Sequence, residues 1–244
     1  MNASDRETLA ASFSRRKQGI RHMTSLGIAT VGQAPRADII AQFAEFMPAG
    51  TRIHLRGCLD GLSPGEVAAL APTAGEEVLY TKLADGSDTM VAKKHAIARA
   101  AATLDRLRAD GSDAILFACT GAFPDTLGGP DVVFPSRVLA GLANALLPKG
   151  KLGLLVPLPA QVDQLPKKWM RPGLVVVAEP LIPSGDDAAS EAAARRMAAH
   201  APDLIVMDCM SYTERHKQAV RRVVGKPTLL AVTTIARILR EMTA

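Results

Sequence analysis

The sequence predicts an α/β protein built as two similar parallel-sheet halves with the active site in the cleft between them. Three observations lead there. Short apolar runs bounded by turn signals alternate with alanine-rich amphipathic segments, the pattern of buried parallel strands joined by crossover helices. Two stretches, Ala114–Gly121 and Asp203–Ser211, share a design: each follows an amphipathic segment and a polar turn, and in each the apolar run stops at a cysteine, Cys119 or Cys209. Aromatic residues make up only 4% of the 244-residue chain, so the core is built from Ala, Leu, Val and Ile, which suits close packing of helices on a sheet.

Residues 1–22 are polar and basic, with Arg6, Arg15, Arg16, Lys17 and Arg21 against Asp5 and Glu7. They read as a basic tail or a frayed helix, and Met23, directly before the first strand, reads as the natural start of the chain. The first strand is Leu26–Val31. Its turn, Gly32-Gln33-Ala34-Pro35-Arg36, leads into a helix whose apolar face carries Ile39, Ile40, Phe43, Phe46 and Met47, with Pro35 in the first turn. Thr51–Leu55 is the second strand. Gly61-Leu62-Ser63-Pro64-Gly65 has the letters of a nucleophile elbow, but Pro64 lacks the N–H that such an oxyanion hole uses. Ser63, Pro64 and Glu66 read instead as a capping box with proline at the first helical position.

Val78–Leu83 follows as a strand closed by Ala84-Asp85-Gly86. Asp88 is expected to cap a long helix to about Ala109, burying Met90 or Val91, Ile97, Ala101, Leu104 and Leu107. After the Cys119 strand come a short strand, Asp131–Phe134, and a helix opened by Pro135-Ser136-Arg137 and running to Leu147. Lys151–Val156 restarts the plan. Leu174–Val177 is the next strand, Asp186 or Asp187 starts a helix through Ala199, and the Cys209 strand follows. The chain closes with a helix over 213–224, a strand over 228–232 and a helix over 234–242. The expected organisation is a tail (1–22), a first half (23–148) and a second half (149–244), with the last helix crossing back onto the first half.

The formal net charge of +5 includes the basic tail, and no basic stripe follows residue 22, so a nucleic-acid partner is not expected. No apolar stretch approaches membrane-spanning length, and no apolar h-region opens the chain. Three cysteines without a repeated short spacing argue against a disulfide framework and for a reduced, cytoplasmic setting. The turn after the first strand lacks G-x-G-x-x-G, and there is no Walker loop, C-x-x-C or metal-ligand spacing. The expectation is therefore no cofactor and no metal.

What remains is a pair of cysteines at equivalent strand ends. Open α/β sheets bind ligands at the carboxyl ends of their strands, and a thiol beside helix N-termini can ionise toward neutral pH. One thiolate can remove a proton from a carbon next to a carboxylate while the other thiol delivers one to the opposite face. Cys58 has no counterpart and reads as structural.

These residues carry a resemblance. Thr30-Val31-Gly32-Gln33-Ala34-Pro35-Arg36-Ala37-Asp38, Phe134-Pro135-Ser136-Arg137, and Met207-Asp208-Cys209 with Glu214-Arg215-His216 together resemble the AroM family. That family lies within the wider aspartate/glutamate racemase superfamily, to which Cys119-Thr120, Cys209 and the duplicated layout are similar. The superfamily includes cofactor-independent racemases, a maleate cis–trans isomerase and one-cysteine decarboxylases. Its racemases usually carry Thr after the second cysteine, where this chain has Met210.

The resemblance implies a cofactor-independent racemase or isomerase of a small carboxylate with Cys119 and Cys209 as acid and base. Thr120, Gly121, Ser136 and Ser211 would offer hydroxyl or N–H donors, and Gln33, Arg36 and Arg137 would meet the substrate, the arginines by gripping a carboxylate. A one-cysteine decarboxylase or lyase and a non-catalytic small-anion binder on the same scaffold are the alternatives. His216 is expected on an exposed helical surface. The expected partner is a small carboxylate, with a homo-oligomer left open.

Overall fold

A computed structural model describes residues 25–164 and 169–243. The readings of residues 1–22 as a tail and of Met23 as the start lie outside the described residues.

The chain is an α/β protein with two four-stranded parallel sheets. The first contains β1 (Ser25–Thr30), β2 (Arg52–Gly57), β5 (Ala114–Phe117) and β6 (Val132–Val133) in the spatial order β2-β1-β5-β6. The second contains β7 (Gly150–Val156), β8 (Leu174–Pro180), β9 (Leu204–Met207) and β10 (Thr228–Leu230) in the order β10-β9-β7-β8. Counted within each sheet, both have the order second-first-third-fourth. The duplication suggested by two cysteine-terminated runs is thus a duplication of topology. In both sheets the first and third strands are central and wholly buried apart from the half-buried start of β7, which is why their sequences are mainly apolar.

Among the described residues the α-helices are α1 (Ala37–Ala44), α2 (Pro64–Ala68), α3 (Lys93–Ala109), α4 (Pro135–Leu146), α5 (Asp187–Ala199), α6 (Glu214–Val224) and α7 (Ala231–Thr243). No described helix is long and apolar enough to cross a membrane. Local signals are obeyed where they were strong. The Ser63–Glu66 capping box forms, with Pro64 at the first helical position, and the Asp186 carboxylate accepts from the Ala189 N–H to cap α5. Pro35 is not in the first turn of α1 as expected: it precedes the Arg36 N-cap, across a cis bond from Ala34.

The start of the long helix differs from the prediction. Asp88 does not cap a helix: Asp88–Ala92 is a strand, β4, paired antiparallel with β3 (Val78–Lys82), and the helix begins only at Lys93. The Ala84–Ser87 turn folds β4 back, and Asp88 is held by the Tyr80 hydroxyl at 2.7 Å and the Lys82 ammonium at 2.6 Å. Thr89 and Val91 are β-branched and suit the strand. Val91 is buried as expected, whereas Met90 faces outward.

The first sheet separates two cores. Leu26, Ile28 and Leu116 pack with residues of the second half such as Leu154 and Val206, while Ala29, Ile115 and Phe117 pack with Ala96, Ala100, Leu104 and Leu107 of α3. Ile235 and Leu239 of α7 share the first core with Leu139 and Ala143 of α4, and Arg240 donates to the Phe46 carbonyl.

Candidate active site

In each half the chain leaves its third strand through the same short path. Cys119 lies two residues beyond the end of β5, and Cys209 two residues beyond the end of β9. Two residues further on, a backbone N–H turns back to the sulfur: Gly121 to Cys119 Sγ and Ser211 to Cys209 Sγ, both at 3.4 Å. Because first and third strands are adjacent and the crossovers on either side diverge, these loops sit at the switch point of each sheet, where a crevice opens. The two crevices face one another and form a cavity of about 290 Å³.

Both cysteines line this cavity with Thr120, Gly121 and Ser211. The Thr120 hydroxyl donates at 2.9 Å to the Asp208 carbonyl, tying one cysteine loop to the other. Asp208 is buried, and its carboxylate accepts from the indole N–H of Trp169 at 3.3 Å. The cavity also takes Arg36, Asp38 and Ile39 from the start of α1, and Val78, Leu79, Tyr80, Thr81 and Lys82 from β3.

The β3–β4 hairpin belongs to neither sheet and walls one side of the cavity. Gln161, from the second half, donates to the Val78 carbonyl at 3.0 Å, and the Gln33 N–H from the first half donates to Lys82 at 3.2 Å. Gly32 permits that approach: a Cβ there would lie 1.9 Å from the Lys82 carbonyl oxygen.

The two thiols are in unequal surroundings. Cys209 is 7% exposed while Cys119 is half-buried. Burial pushes the Cys209 thiol up to about 12, against the Ser211 N–H and reinforced by the nearby Cys119. Arg36 is the cavity's buried cation, at 6% exposure; its guanidinium pairs with Asp38, whose carboxyl it holds below the usual range. Lys82 pairs with Asp88, and Lys93 pairs with Glu77 on the wall. Burial, then the Asp88 carboxylate, raises the Tyr80 hydroxyl well above its ordinary value.

The structure thus brings together Cys119, Cys209, Thr120, Gly121, Ser211 and Arg36. It places Gln33, Ser136 and Arg137 off the cavity lining. The Gln33 amide braces the scaffold instead, donating to the Leu59 and Leu62 carbonyls and accepting from the Ala84 N–H. Ser136 is buried in the first turn of α4. Arg137 pairs with Asp125 at 2.9 Å and stacks over Phe134. Cys58 is fully buried in the second core, with its thiol pushed by burial to about 11.

His216 corrects another expectation. It is buried, its Nδ1 meets the Thr213 N–H and hydroxyl, and burial lowers its pKa. Tyr80, Lys82, Lys93 and Asp38 are cavity residues that sequence reasoning missed; Tyr80 and Lys82 lay in a recognised strand whose location no local signal gives. Among the described residues no three His, Cys, Asp or Glu side chains gather as a metal-ligand set.

A family model described as AroM protein matches residues 26–243. No curated protein sequence matches the chain. Solved structures share its fold at low identity. Arylmalonate decarboxylase superposes with a TM-score of 0.57 at 15% identity, over 88% of this chain and 92% of the other. Glutamate racemase RacE1 from Bacillus anthracis gives 0.56 at 12%, over 91% and 82%. The maleate isomerase from Pseudomonas putida S16 gives 0.53 at 10%, over 89% and 92%.

Proposed function

The chain belongs to the AroM protein family, and from that premise we propose a cofactor-independent racemase or isomerase of a small carboxylate, with Cys119 and Cys209 as its acid/base pair. The observation that carries the reading is the equivalence of the two thiols: the third strand of each sheet, the same offset, the same N–H contact, one shared cavity. In the forward direction the Cys119 thiolate takes the α-proton and the Cys209 thiol delivers one from the opposite side, leaving Cys119 protonated and Cys209 ionised. The return direction uses them in reverse. Arg36 holds the substrate carboxylate, neutralising charge that grows on it as the α-carbon is deprotonated. The Gly121 and Ser211 N–H groups support whichever sulfur is ionised.

Burial pushes the Cys209 thiol up to about 12, so at neutral pH it holds its proton. The resting enzyme therefore carries Cys209 as the acid. This inequality favours a second reading, in which one thiol protonates a carbanion left by loss of carbon dioxide, as a one-cysteine decarboxylase would.

The test is incubation with a panel of small amino, hydroxy and malonate-type acids in deuterium oxide, followed by proton NMR. Racemase chemistry predicts α-proton exchange that Cys119→Ser and Cys209→Ser each abolish. Release of carbon dioxide with only one thiol required selects the decarboxylase. Binding with thermal stabilisation but no exchange or release makes the protein an anion binder and overturns both.

A further inference from the structure

The two sheets expose four edges, and three are blunted. β6 has two residues and β10 has three before it runs into α7. β2 alternates Arg52, His54 and Arg56 along its length, the charged edge that resists strand addition. β8 differs. It runs for seven residues, Leu-Val-Val-Val-Ala-Glu-Pro, with no charge before Glu179. Among the described residues, three of the six exposed large hydrophobics lie in it or beside it: Met170, Val175 and Ile182.

The ladder with β7 fixes which groups of β8 point outward. The Gly173 carbonyl accepts from Gly150, the Leu181 N–H donates to Val156, and Gly150 is opposite Leu174. Odd-numbered residues therefore direct their main-chain groups to β7, and Leu174, Val176, Ala178 and Pro180 direct theirs away. Proline has no N–H, so Pro180 closes the outward row at one end. Pro172, four residues before Val176 as Pro180 is four after it, closes it at the other. The open window is centred on Val176.

We propose that β8 is the surface through which two copies of this chain form a two-fold dimer, pairing antiparallel about Val176. The Val176 groups of the two copies exchange both hydrogen bonds, and the Ala178 N–H donates to the partner's Leu174 carbonyl on each side. The two four-stranded sheets then join into one. This register sets Gly173 of one strand opposite Glu179 of the other. The reverse, parallel order would not close on a two-fold axis. The opposed prolines limit the pairing to one register, giving a closed dimer rather than a growing fibre.

Analytical ultracentrifugation of the full chain is expected to show a concentration-dependent dimer. Val176→Pro removes an outward N–H, and Val175→Lys puts a charge on the exposed flank; each is expected to shift the protein to monomer with unchanged far-ultraviolet circular dichroism and an unchanged rate of Cys119 alkylation. Hydrogen exchange on the unmodified chain guards against variants that misfold. The amides of Val176 and Ala178 should lose protection on dilution, whereas those of Val175 and Val177, bonded to β7, should not. A monomer, a dimer insensitive to both variants, or protection at Val176 that ignores concentration overturns the proposal. Protection that vanishes on removing residues 1–22 would instead assign the edge to that segment, and also overturns it.

Discussion

The Thr120 hydroxyl donates a 2.9 Å hydrogen bond to the main-chain carbonyl of Asp208, so the residue after one cysteine is fastened to the residue before the other. Both partners are buried, at 7% and 1% exposure. The bond crosses between the halves at the level of the thiols, and it fixes how far apart the two cysteine loops stand.

Thr120→Val keeps the shape and removes the donor. Leaving a buried carbonyl without its partner costs about 1–3 kcal/mol, so the melting temperature should fall by several degrees. Under the proposed two-thiol mechanism, activity should fall further than stability explains, because a small displacement of the thiols would degrade proton transfer. Thr120→Ser should restore both. Thermal melts and exchange in deuterium oxide check this; full activity in Thr120→Val would show that the tie does not set the thiol spacing.

The thiols should separate chemically. At neutral pH iodoacetamide should label half-buried Cys119 ahead of buried Cys209 and Cys58. The buried pair also makes folding sensitive to base. A thiol that holds its proton more tightly when folded gives stability that is intact below its ordinary value of 9. That stability drains away as pH rises from there toward about 11 for Cys58 and about 12 for Cys209. Denaturant melts above pH 9 should show falling stability, with a shallower fall in Cys209→Ala. An equal slope in that variant would contradict the shift.

Arg36→Met should weaken binding of small carboxylates roughly tenfold or more, the scale of a charge-assisted hydrogen bond in a buried site. Asp38→Asn should spare or strengthen it, since Asp38 competes for the same guanidinium from a half-exposed position, with 53% of its side chain open to solvent. Isothermal titration of both variants against the acids that bind the unmodified chain distinguishes this from a merely structural arginine, for which both substitutions would weaken binding alike.

Trp169 is the only tryptophan in the chain, and its indole N–H reaches the Asp208 carboxylate beside Cys209. Its fluorescence should therefore change when a small acid enters the cavity. Asp208→Ala should alter the resting emission, and Arg36→Met should shift the titration to higher concentration. A spectrum that ignores saturating ligand would mean the indole does not sense the site.

Much of this was legible from residues alone. The Ser63–Glu66 box, the Asp186 cap and the apolar runs of β1, β5, β7 and β9 are decided locally, by hydrogen bonds within a turn and by full burial of central strands. Asp88 was not legible in that way, because a capping residue and a strand residue bonded to Tyr80 and Lys82 look the same until the hairpin closes. His216 was misplaced for a similar reason: helical position gives a direction but not what packs against it.

The sequence by itself determined the two cysteine-terminated strands, the duplicated α/β plan and the resemblance to the AroM family, since these depend on periodicity and on residue types at fixed offsets. Only the tertiary structure decided which polar residues share the cavity with the thiols. Arg36 enters it, while Gln33 three positions earlier bonds to three main-chain groups elsewhere, and Arg137 stacks on Phe134. Such choices rest on contacts between segments far apart in the chain, whose hydrogen bonds and burial no local pattern encodes.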